Sequence, residues 1–239
     1  MLEKLFSTIQ RSNRKTIEDV DGRPYSTVLL TPVPEPTPET FGLNTLAGIR
    51  DYIVANVDFL ITSELMLHVV SPVRVDLVSK LVGSFEQRKT YLQANFGQAL
   101  FQFDTYYGHE DFIIGMHSRF LETEDRQWVL KYVGGFSETA SKDYEDDGVT
   151  QRTTVRRGLG SAKIDVEMVK NPCSLKPFRT FPDVDQPESD FLFRIRPSGE
   201  GVPPGCGLFE ADGGAWKLVA IGNIAKWLGE NVPDVAVIA

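Results

Sequence analysis

The sequence predicts an α+β protein, mostly antiparallel sheet with about three amphipathic helices, carrying an N-terminal arm on a proline-rich spacer. Two observations predict the class. Runs rich in Val, Ile, Thr and Phe with two-residue alternation outnumber runs with helical spacing, and they follow one another instead of alternating with helices. Turn chemistry then separates them at Asp21-Gly22, Asp147-Gly148 and the pair Gly158 and Gly160. A third observation sets the organisation. Pro32, Pro34, Pro36 and Pro38 alternate through Thr31–Thr40, which removes backbone donors and fixes φ, so residues 31–40 read as an extended spacer. The spacer divides an arm, residues 1–30, from a single α+β domain, residues 41–239.

In the arm, Leu2, Leu5, Phe6 and Ile9 recur at helical spacing, a stripe too short to be stable alone, and Tyr25–Leu30 reads as a strand after the Asp21-Gly22 turn. Such a stripe must dock, on its own body or on a neighbouring subunit. Beyond the spacer, Leu43, Leu46, Ile49, Ile53, Val54 and Val57 predict an amphipathic helix with Asn44 as N-cap. Leu65–Val70 and Val73–Val78 read as strands broken at Pro72, and Leu100–Tyr107 as another. A helix follows over 109–121 with Phe112, Ile113, Met116 and Phe120 inward and Glu110 and Asp111 in its first turn. Gln127–Val133 reads as a strand and Ser137–Gly148 as a polar, acidic loop. Val149–Leu159 and Ala162–Val169 form a hairpin, and Phe191–Arg196 and Gly207–Glu210 add strands. Asp212-Gly-Gly opens a last helix with Leu218, Ile221, Ala225 and Leu228 inward and Gly229 at its end, and Val235–Ala239 is a final strand paired in a sheet.

The chain has 239 residues, 41% of them hydrophobic and 24% charged, which is the composition of a globular protein with a sizeable core. No run approaches the ~20 apolar residues of a membrane span, and Met1–Phe6 mixes charges into its apolar pattern, unlike a secretory signal. The expectation is therefore a cytoplasmic protein with no membrane partner, its two cysteines, Cys173 and Cys206, reduced. The net charge of −8 disfavours a general nucleic-acid binder.

The sharp catalytic fingerprints for zinc, nucleoside triphosphates and serine nucleophiles are absent from the sequence, so neither a cofactor nor catalytic residues are expected. His68, His109 and His117 read as structural histidines rather than ligands. The acidic groups Asp143, Glu145, Asp146 and Asp147, and Asp183, Asp185, Glu188 and Asp190, lack the spacing of a calcium loop and read first as solvated loops. A metal-dependent hydrolase using Asp183, Asp185 and Glu188 is the lowest-ranked alternative. Arg152, Arg156 and Arg157, with Lys163, form the one basic strip of note. It is a weak site for a nucleotide or nucleic-acid ligand, since acidic residues flank it on both sides and cross-strand pairing with Asp165 and Glu167 is the simpler account.

The order of elements supports a resemblance. The helix at 43–57, the segment His68-Val-Val-Ser-Pro-Val-Arg-Val-Asp-Leu77, the helix at 110–121, the hairpin strand Val149–Arg157 and the closing helix and strand at 216–239 together resemble the phage and prophage family typified by the YfdQ protein. Asp146–Arg152, Lys176–Phe181 and Leu208–Trp216 are similar to segments of homologues in phages of Gram-positive bacteria. The resemblance spans 43–239 and leaves out the arm and spacer. It implies a virus-encoded protein in an infected bacterial cytoplasm and brings no catalytic residues with it. The leading expectation is a non-enzymatic, self-assembling homo-oligomer, a ring or closed shell, with Leu2, Leu5, Phe6 and Ile9 in subunit contacts. The alternative is a module that binds or sequesters a nucleotide or nucleic acid.

Overall fold

The computed structural model describes residues 17–26, 31–32, 36–83, 86–97, 100–135, 141–146, 151–156, 166–168, 170–196 and 204–239. It is an α+β fold with mostly antiparallel sheets, and two hydrophobic cores account for its packing.

The arm contains β1 (Ile17–Val20) and β2 (Arg23–Ser26), joined at the expected turn, where Asp21 and Gly22 both take left-handed φ. β3 (Thr31–Pro32) completes a three-stranded sheet at its edge, where a proline without an N–H is tolerated. The spacer thus donates its first two residues to a sheet, and residues 36–40 carry neither helix nor strand.

The first large sheet is built on β5 (Leu65–Ser71), β6 (Arg74–Ser79) and β7 (Thr90–Asn95), antiparallel to one another. Leu65, Leu67 and Val69 alternate inward along β5, while β6 at the centre is buried on both faces from Val75 to Ser79. Both edges are parallel additions. β4 (Phe41–Leu43) runs beside β7 and β15 (Ala236–Ile238) beside β5, so the C-terminal strand pairs as expected. Two helices cover one face of this sheet, α1 (Leu46–Ala55) with Leu46 and Ile49, and a long C-terminal helix (Trp216–Asn231) with Ile224 and Leu228. In the latter helix the buried stripe is Ala220, Ile224 and Leu228, while Leu218 is exposed, and the helix runs past Gly229 to Asn231. The cap of α1 is Thr45 rather than Asn44, its hydroxyl accepting from Gly48 N at 3.1 Å.

The second large sheet has the order β12 (Cys173–Leu175), β13 (Ser189–Arg196), β14 (Gly205–Glu210), β8 (Thr105–Tyr107), all antiparallel. Phe191, Phe193 and Ile195 alternate inward along β13 and meet Phe112, Met116, Val129 and Val133 from α2 (His109–Arg119) and α3 (Glu124–Gly134). β8 is shorter than the strand expected over 100–107. Asp104 takes φ 58 and ends the extended run, while Phe101 turns into the core against Phe120 with ring centroids 5.0 Å apart. Gly207 belongs to the close approach of β8 and β14, because a Cβ there would lie 2.5 Å from Thr105 O.

Two further expectations fail. Residues 127–133 are helix, not strand. Thr123 caps α3 by accepting from Arg126 N, Glu124 and Asp125 occupy its first turn, and Val129, Tyr132 and Val133 bury one helical stripe. The apolar run is short enough to satisfy both periods, and the cap decides between them. Residues 141–146, expected as loop, form β9 (Ser141–Asp146). It pairs with β10 (Gln151–Arg156), which in turn pairs with β11 (Val166–Met168), so the predicted hairpin exists but has a third strand.

Candidate functional site

Among the described residues, those singled out in the sequence do not assemble into one site. Leu2, Leu5, Phe6 and Ile9 lie outside the described residues, as do Arg157, Lys163 and Asp165. Arg152 stands opposite Glu145 on β9 and Met168 on β11, and Arg156 opposite Ser141. Glu167 is opposite Thr153 rather than an arginine.

Two of the acidic residues of 183–190 are engaged within the fold. Asp183 caps α1, accepting from Leu46 N at 3.1 Å and Ala47 N at 3.0 Å, where a carboxylate meets two free N–H groups and the positive end of the helix. Glu188 accepts from Ser174 Oγ at 2.9 Å and pairs with Lys176 at 3.5 Å. No cluster of three or more His, Cys, Asp or Glu side chains suited to a metal ion occurs among the described residues. His109 Nε2 lies 2.9 Å from Val133 O, joining α2 to α3, and His117 Nδ1 lies 3.2 Å from Arg126. Cys173 and Cys206 are buried in β12 and β14, and burial pushes the Cys173 thiol up to about 12, which keeps it protonated and unreactive at neutral pH.

A buried cationic centre, missed by sequence reasoning, lies between the two cores. Arg179 is 2% exposed. Its guanidinium stacks on the Trp216 ring at 3.9 Å from the centroid, with Phe103 and Phe191 at 5.6 and 5.5 Å. It donates to Glu210 at 2.6 Å and to Ser189 Oγ, with Asp212 at 4.0 Å. Burial lowers its pKa to about 10, and the attraction of Glu210 and Asp212 works in the opposite direction, so it stays charged at neutral pH. Gln186 holds the same segment from within. Its Oε1 accepts from Arg179 N and Thr180 N, and its Nε2 donates to the carbonyls of Phe181 and Val184 at 3.0 and 3.3 Å. Thr180 Oγ1 then bonds Pro72 O at 2.5 Å and Phe181 enters the core of the first large sheet. The centre is a clasp, its charges spent internally. The residue types were visible in Lys176–Phe181 and Leu208–Trp216, but nothing in the sequence brings those stretches together.

The strongest outward feature is apolar. α1 ends at Asn56 in left-handed conformation (φ 44), and Phe59, also left-handed at φ 53, closes a tight turn by donating its N–H to Asn56 O at 3.1 Å. Val54 is 76% exposed, Val57 61%, Phe59 88%, Ile61 60% and, on the neighbouring β4, Phe41 56%. Phe41 stacks on Tyr52 with ring centroids 6.3 Å apart, and the Tyr52 hydroxyl donates to Asp58 at 2.5 Å, pinning the turn to the helix. Burial, reinforced by Asp58, raises the Tyr52 pKa to about 12, so this bond is retained over the physiological range. A dent lined by Tyr52, Val57, Leu60 and Leu65 lies beside the turn. Single exposed apolar residues are ordinary on a protein surface, and here several occur within one helix end and its turn. No helix among the described residues is long and apolar enough to cross a membrane.

No family model matches the chain, and neither the curated proteins nor the solved structures yield a match.

Proposed function

We propose that the chain is a non-enzymatic, phage-encoded protein that works in the cytoplasm of an infected bacterium by assembling with copies of itself into a ring or closed shell. The observation that carries this reading is the apolar helix end and turn: Val54, Val57, Phe59 and Ile61 stand in water, each more than half exposed. Holding Phe59 in a left-handed backbone costs about 1 kcal/mol or more, and leaving its ring in water gives nothing back. Covering those side chains against another protein surface recovers the hydrophobic free energy, at ~25 cal/mol per Å² of apolar surface removed from water. The outer sides of β4 and β15, which pair with no other strand among the described residues, add backbone groups that a neighbour can use. The phage origin rests on the resemblance of residues 43–239 to the YfdQ-like family.

Light scattering after size exclusion tests the reading on the full chain, with the ultraviolet ratio followed across the peak. The expected result is one uniform species well above the 26.7 kDa of a single chain, with protein-like absorbance. A 26.7 kDa species at all concentrations overturns self-assembly. Excess nucleotide-like absorbance transfers the function to ligand binding, with Arg152, Arg156 and Arg157 as the first residues to reverse in charge.

A further inference from the structure

We propose that the outer face of the second large sheet binds single-stranded nucleic acid through Tyr106, Phe209 and Arg196. This is an activity beyond self-assembly and does not depend on it.

Strand alternation and register define the face. Phe191, Phe193 and Ile195 on β13, with Cys206 and Leu208 on β14, belong to the core shared with α2 and α3. The residues between them therefore lie on the opposite side of the sheet. Arg194, Gly207 and Tyr106 stand in one row across β13, β14 and β8, with Arg196 opposite Gly205 and Leu192 opposite Phe209 in the rows beside it. β14 has no side chain at Gly205 and Gly207, and two rings close over the gap. A Cβ on Gly207 would lie 3.1 Å from the Phe209 ring and 3.3 Å from the Tyr106 ring. The two rings meet edge to face with centroids 5.3 Å apart, and the Arg196 guanidinium lies 4.7 Å from the Tyr106 centroid. Two rings and a guanidinium thus form one contiguous π surface across three strands.

Two features select the occupant. The first is the state of Arg196. Arg179, also stacked on an aromatic ring, is buried and pairs with Glu210, and the surface arginines Arg50 and Arg74 pair with Asp51 and Asp76. Arg196 is exposed and pairs with no carboxylate among the described residues. Its stack on Tyr106 holds the planar cation in place while leaving its charge unspent.

The second is the chemistry around that charge. Unpaired bases present π faces that stack on aromatic rings and on guanidinium planes, and the phosphates between them supply the negative charge. A duplex hides those faces in its own stack and offers phosphate alone, while an acidic peptide offers carboxylates without π faces. The single strand uses both parts of the surface. The net charge of −8 opposes phosphate contact over the chain as a whole, so stacking at this face has to carry the binding.

Fluorescence anisotropy tests the proposal on the full chain, freed of nucleic acid and titrated into a labelled deoxythymidine oligomer of about 15 nucleotides. The expected result is saturable binding of the single strand and at least tenfold weaker binding of the same strand paired with its complement. Arg196→Glu and Tyr106→Leu are each expected to lower the affinity tenfold or more, with circular dichroism unchanged; the leucine keeps apolar bulk and removes the ring. Lys226→Glu makes the same change of charge at an exposed position on the C-terminal helix, over the other large sheet, and is expected to alter the affinity less than twofold. Absence of binding up to about 100 µM protein overturns the proposal. Duplex binding as tight as the single strand, or equal losses for Arg196→Glu and Lys226→Glu, overturns it too, because phosphate attraction would then be the whole effect. Light scattering reads self-assembly separately, so either reading can fail while the other stands.

Discussion

Arg179 shows how one side chain can carry several duties when it is buried. It fills the space between Phe103, Phe191 and Trp216, neutralises Glu210, and anchors the chain as it passes from one core toward the other. Removing one partner of a buried ion pair costs about 3–5 kcal/mol, because the other charge is stranded. Arg179→Met is expected to lose an amount in that range by urea denaturation, and Arg179→Met with Glu210→Gln to lose less; equal losses would show that the pair itself is not the cause. Asp125 offers a test in pH. Burial opposes its charge, but the hydrogen bonds from Lys170 and Ser174 N together outweigh that and hold its carboxyl below the usual carboxylate range. The folded state therefore keeps this proton off to lower pH than the unfolded state does. Its contribution is full above the ordinary carboxylate range and is lost as pH falls through the folded value. The stability gap between the native chain and Asp125→Asn should be widest at neutral pH and close on acidification toward pH 3. A gap independent of pH would remove Asp125 from the account of acid stability.

At the scale of elements, the same carboxylate chemistry works across a long stretch of sequence. Asp183 caps α1 from the loop that follows Phe181, so the helix start is completed by tertiary structure in addition to Thr45. Losing an N-cap typically costs about 0.5–2 kcal/mol, and Asp183→Ala should fall near the top of that range because two N–H groups lose their acceptor. Differential scanning calorimetry measures it. A change too small to resolve would mean that water replaces the carboxylate without loss. α3 makes a related point from the other side. Its apolar residues satisfy a strand pattern over 127–133, and the helix forms because Thr123 caps it and because Asp125 ties its first turn to Ser174. The pattern alone was ambiguous, and the cap was already legible in Thr123-Glu124-Asp125.

Across the whole molecule, two cores share a connecting segment. Thr180 and Phe181 contact the first large sheet and its core, Arg179 contacts the second, and Gln186 binds the backbone of all three. Cutting this segment should lower stability and also uncouple the cores. Phe181→Ala removes a fully buried ring, with an expected loss of about 3–5 kcal/mol. If the segment is the mechanical link, the variant should unfold in two steps, with tryptophan fluorescence and far-ultraviolet dichroism no longer coincident. A single coincident transition at lower stability would show that other contacts couple the cores.

Local features were legible in the sequence: the α+β class, strands β5 and β6 with the turn at Pro72 between them, strands β13, β14 and β15, the Asp21-Gly22 turn and the last helix, whereas β4, β7 and β12 were not. The legible ones follow from periodicity, turn chemistry and the rigidity of proline, all of which act within a few residues. Tertiary structure alone decided the rest. It placed Asp183 on α1 and Arg179 on Trp216, because pairing between distant segments depends on how the sheets stack and leaves no spacing to read. It also turned the apolar side chains at the end of α1 outward. In the sequence Val54 and Val57 are indistinguishable from core residues of the same helix, since whether an apolar side chain faces protein or water is settled only when something does or does not pack over it.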